Sequence, residues 1–126
     1  MSECTVDANT TPAQLARYVS SLHPNARIYG RQVGNGDILL YARTHEASRQ
    51  PDRKEASHCI AARVAVGVAL GRAHSLPGAA FLLNHVHCEL GSVRTPLRAG
   101  ALLGPALALA AIYAGHAGDT PDRAET

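Results

Sequence analysis

Tryptophan is absent from the chain, methionine and phenylalanine occur once each, and the four tyrosines bring the aromatic share to only 4%. With so few large rings, a core has to be built from small aliphatic side chains on closely approaching elements. Cysteine is scarce and odd in number. Cys4, Cys59 and Cys88 do not make the disulfide framework of a small secreted domain. The opening MSECTVDANTTP has neither the basic start nor the apolar run of a signal peptide, so the expected location is the cytoplasm. Charged residues make up only 17%, yet hydrophobic ones reach 46%, which excludes a disordered composition. The chain has no P-loop, no GxGxxG after a strand and no GxSxG elbow. It also lacks paired carboxylates and a sustained heptad seam. No motif names an activity.

What is present is 126 residues, enough for one domain, with 23 alanines and 11 glycines. The net charge is +2. Residues 17–98 carry +6, and each end carries −2. Eleven of the twelve basic residues are arginine, the cation suited to interfaces and bidentate contacts. The overall balance is too mild to give a nucleic-acid footprint.

Residues 1–10 read as a flexible arm. Thr11-Pro12-Ala13-Gln14 then reads as a helix start with a capping box, and His23-Pro24 ends that helix. The segments NARIYGRQV and DILLYAR flank Gly34-Asn35-Gly36 and predict a hairpin. A two-residue loop would set Arg31 beside Leu40. A three-residue loop with Gly36 left-handed gathers Ile28, Gly30, Ile38, Leu40 and Ala42 on one face that can be buried. The opposite face then carries Arg27, Tyr29, Arg31, Leu39, Tyr41 and Arg43. Residues 44–51 form a polar linker. A long helix is expected over about 52–74, with Asp52 and Glu55 at capping-box spacing and a middle that is apolar nearly all round. A shorter helix follows from about 78 to 90. A last one starts at Thr95-Pro96 and is kinked or restarted by Pro105. The expected fold class is α+β: an N-terminal helix, one hairpin, then a small bundle of three Ala/Gly-rich helices. The domain spans 11–116, and 117–126 is a flexible acidic tail.

Several groups of residues are candidates for function. His58 and Cys59 near the start of the long helix, with His85, His87 and Cys88 on the next, would form a zinc-type site if those helices packed antiparallel. They match no established spacing, so a zinc sensor or enzyme stands as an alternative. Glu55 and His58 make an E-x-x-H, the spacing used in di-iron bundles, but only one copy is present. Cys88 with His85, or Cys59 with His58, has the composition of a thiol and base without an oxyanion loop. Gly67–Gly71 and Gly100–Gly104 are G-x-x-x-G pairs that permit close helix approach. The uncharged run 99–115 is just long enough to pose a second alternative, a small membrane anchor, although it is weakly hydrophobic and broken by Pro105.

The reading favoured by the residues is a non-enzymatic accessory protein, an inhibitor or regulator, that docks on another protein through Arg27, Tyr29, Arg31, Tyr41 and Arg43. Self-association as a homodimer is expected, because the hairpin edges and apolar helices are underserved within one chain. No cofactor, nucleic acid or membrane enters this reading.

Overall fold

The sheet is organised by the hairpin. The computed structural model describes residues 3–44, 53–90 and 97–119. Strands β2 (Arg27–Gln32) and β3 (Ile38–Arg43) pair antiparallel with Tyr29 opposite Tyr41 and Gly30 opposite Leu40. The Val33 amide donates to the Asp37 carbonyl at 2.9 Å, which leaves Gly34-Asn35-Gly36 as a three-residue loop. Gly36 (φ 81°) takes the left-handed conformation, as the sorting of side chains predicts, and Asn35 (φ 71°) takes it too, which the sorting does not predict.

Two strands absent from the expected order flank this pair. The expected arm contains β1 (Glu3–Val6), which pairs with β3 so that Cys4 and Val6 lie opposite Leu40 and Ile38. Strand β4 (Leu97–Arg98) pairs with Arg27 and Ile28. The result is a four-stranded antiparallel sheet of order β1-β3-β2-β4. Both strands are too short to show a period: β1 offers two apolar side chains on the core face, and β4 has two residues.

Helix α1 (Pro12–Ser20) starts as its residues dictate. The Gln14 amide donates to Thr11 Oγ1 at 3.3 Å, and the Thr11 amide donates to Gln14 Oε1 at 2.8 Å. The other helices are α2 (Arg53–Gly71), α3 (Ala79–Leu90) and α4 (Ala99–Asp119). Helix α4 runs through Pro105 without restarting. The proline removes the amide that would serve the Ala101 carbonyl, and Ala101 is exposed, so water can serve it instead. Asp52 of the capping pair, the linker at 45–51, the Thr95-Pro96 start and the tail from 120 lie outside the described residues, while 117–119 of the expected tail belong to α4.

The three later helices do not form the expected bundle. Helix α4 packs chiefly on α1 and then on α3, whereas α2 packs chiefly on β2. Gly30 explains the second pairing. A Cβ there would lie 2.9 Å from the Ala62 nitrogen and 3.0 Å from Ile38 Cγ2, so the missing side chain lets α2 lie directly on the strand. The core joins Val6, Ile28, Ile38 and Leu40 of the sheet to Leu15 and Val19 of α1, Ala62 and Val66 of α2, and Leu102 and Leu109 of α4. Alanine at Ala62, Ala65 and Ala69, all fully buried, gives α2 a smooth inner side.

Candidate functional site

The hairpin face holds an ordered aromatic cluster. Tyr29 and Tyr41 are directly opposed in register, and their rings stack with centroids 5.6 Å apart. The Arg43 guanidinium lies over both rings, 5.6 Å from Tyr41 and 5.9 Å from Tyr29. His58, from α2, meets Tyr41 edge-on and shares a hydrogen bond between its Nδ1 and the tyrosine hydroxyl. The five sequence-predicted docking residues therefore divide. Arg27 and Tyr29 are buried, Tyr41 is half-buried, and only Arg31 and Arg43 are exposed. Much of this face serves the fold itself.

The predicted zinc ligands do not come together. Among the described residues no group of three or more His, Cys, Asp or Glu side chains is close enough to hold a metal ion. Cys59 is fully buried on the inner side of α2, and His58 is engaged with Tyr41. His85, His87 and Cys88 are exposed on α3, a helix that packs on α4 and only lightly on α2. None of the three cysteines is in a disulfide. Burial pushes the Cys4 thiol up from its ordinary value, the opposite of nucleophile activation. Residues 99–115 belong to α4, whose Leu102, Ala106 and Leu109 are buried in the core. Among the described residues no helix is long and apolar enough to cross a membrane.

What the sequence reading missed is the outer side of α2. Ile60, Val64 and Val68 stand at i, i+4 and i+8, exposed to 46%, 52% and 40%. That spacing puts them in one row along the helix. The other residues of the same stripe are Ser57, Gly67 and Gly71, so it carries no charge. Arg63, the one charged residue between Ala56 and Gly71, sits beside the stripe, with its guanidinium donating to the Cys59 carbonyl at 3.3 Å. Burial lowers the Arg63 pKa from its ordinary value.

Two clefts border the stripe. One, of about 450 Å³, lies between α2 and the end of the hairpin, with Arg31, Gln32, Ser57 and His58 as its polar groups and Ile38, Ile60 and Val64 as its apolar ones. The other, of about 580 Å³, lies between α2 and α3 and includes Gly67, Gly71, Leu83 and His87. An apolar row with polar groups at its margin is the usual layout of a protein interface. Comparisons of the chain with protein-family models, curated proteins and solved structures find no match.

Proposed function

We propose that the chain is a non-enzymatic binding protein that docks on another protein through the outer face of α2 and the adjoining end of the hairpin. The observation that carries this reading is the uncharged row Ile60, Val64 and Val68, half exposed on a helix whose opposite side lies at the centre of the core. A helix with both sides apolar expects cover on both. The sheet and its neighbouring helices supply only one. Arg31 and Gln32, at the margin of the row, provide hydrogen bonds that fix register. Arg43 extends the basic edge along the hairpin. A sparse, odd set of three cysteines with no disulfide among them supports a reducing compartment such as the cytoplasm.

Covering the exposed halves of three aliphatic side chains contributes roughly 1 kcal/mol each. That is about 3 kcal/mol from this side, less than the cost of association, so the partner must add apolar surface of its own. The test is a photo-crosslinking residue placed at Val64 in the full-length protein in its own cells. The reading predicts a discrete adduct that disappears when Val68→Asp is added and that a probe at Leu107, exposed on α4, does not form. Equal adducts from both positions would refute it.

A further inference from the structure

We infer that the surface on α2 receives a second copy of this chain, packed about a two-fold axis with α2 against α2. This rests on the docking reading above and names its partner. A two-fold contact sets one patch against itself, so the patch must carry both ridge and groove and no like charges at the axis. The outer face of α2 meets both conditions. Its ridge is the i±4 row Ile60, Val64 and Val68. Its groove is the strip of Gly67 and Gly71 beside that row, where an added Cβ would meet nothing within 4 Å. By contrast, Gly30 and Gly100 are spent inside the protomer, the first under α2 and the second against Pro24. Among the described residues, nothing within the chain uses the close-approach pair on α2. Two i±4 ridges interdigitate at a crossing angle of about −50° and, here, would meet at Val64.

Charge favours the same occupant. From Ser57 to Gly71 only Arg63 is charged, and it stands about 100° round the helix from Val64, off the row, so no like charges meet where the two rows cross. The row from Ser57 to Gly71 is about 21 Å long. With the flanking cleft walls, the footprint is on the order of 500 Å² per copy, against about 800 Å² for a standard interface. The dimer is therefore weak and concentration-dependent.

Sedimentation velocity of the full chain over roughly 1 to 500 µM tests this. The expected result is a shift from the 13.2 kDa species towards twice that mass as concentration rises. Val64→Asp and, separately, Gly67→Leu, which fills the groove, should each weaken the association at least tenfold. Leu107→Asp should leave it unchanged. Circular dichroism checks folding, and the two variants alter the helix by different means, so one remains informative if the other unfolds. In a Cys88→Ser background, Val64→Cys should form an intermolecular disulfide under mild oxidation. A wild-type chain that sediments as one copy at every concentration overturns the inference and leaves docking on a different protein standing. A dimer indifferent to both variants is built on another face and overturns the inference too, and the crosslink at Val64 then decides the docking surface by itself.

Discussion

Replacing Gly30 with alanine should destabilise the fold, although alanine is the better residue in most elements. The new Cβ would lie 2.9 Å from the Ala62 nitrogen, 3.0 Å from Ile38 Cγ2 and 3.1 Å from the Ala61 carbonyl carbon. Ile38 can turn aside at small cost. The Ala61–Ala62 backbone cannot, because it belongs to a helix whose Ala62, Ala65, Val66 and Ala69 are fully buried. Helix α2 must lift from β2 as a unit, loosening that row together. Overpacking of this kind costs about 1–3 kcal/mol, and a rigid helix places it near the top of that range. Relief of the glycine's chain entropy returns roughly 0.5–1 kcal/mol. The net loss is about 2 kcal/mol, which lowers Tm by about 8 °C in a domain of this size. The matched control is Gly115→Ala in α4, where an added Cβ meets nothing within 4 Å. There the helix propensity of alanine acts alone and should raise Tm by about 4 °C, from roughly 1 kcal/mol. Thermal melts followed at 222 nm, at equal dilute concentration, read both. If Gly30→Ala melts at or above the wild-type temperature, α2 does not lie on β2 in the way described.

Thr11→Ala removes the capping box of α1 and should lower stability by about 1 kcal/mol, measured by urea unfolding at constant m value. Iodoacetamide should label exposed Cys88 first, half-buried Cys4 more slowly and fully buried Cys59 only on unfolding; intact-mass analysis of labelling over time would expose any other order. Burial raises the pKa of both Cys4 and Tyr18, and for Tyr18 the neighbouring Cys4 and Glu3 add to the effect. Each group keeps its proton in the folded state at a pH where the unfolded chain has lost it. The unfolded chain then binds fewer protons, so stability falls as pH rises through the ordinary thiol and phenol values near 9.0 and 10.0. The urea midpoint should be lower at pH 10.5 than at pH 8, and Cys4→Ala should lessen the drop; a flat midpoint would contradict the burial of both groups.

The sequence was most legible where chemistry is local. Thr11 and Gln14 specify the start of α1, and Asn35-Gly36 with the alternation of Ile28, Ile38 and Leu40 specifies the hairpin, its loop length and its inner face. The class of fold follows from these and from the apolar helices. Strands β1 and β4 were not legible, because they exist by pairing with β3 and β2 rather than by any pattern of their own. The placement of α2 on β2 depends on the contact at Gly30, which a sequence shows only as a glycine in a strand. The candidate surface was half legible. Arg31 and Arg43 are exposed as expected, but Arg27 and Tyr29 are buried in register with Arg43 and Tyr41. The row Ile60, Val64 and Val68 was hidden for the opposite reason. A helix apolar on every side gives no sign of which side the rest of the chain will leave uncovered.

The measurement that bears most directly on the docking surface is carbene footprinting of the whole protein, read residue by residue, dilute and then at high concentration or with its partner. The account predicts that labelling of Ile60, Val64 and Val68 falls together as the complex forms, while Leu107, about as open, and Phe81, more open, keep theirs. Protection that appears at Phe81 or Leu107 and leaves the α2 row labelled would contradict it.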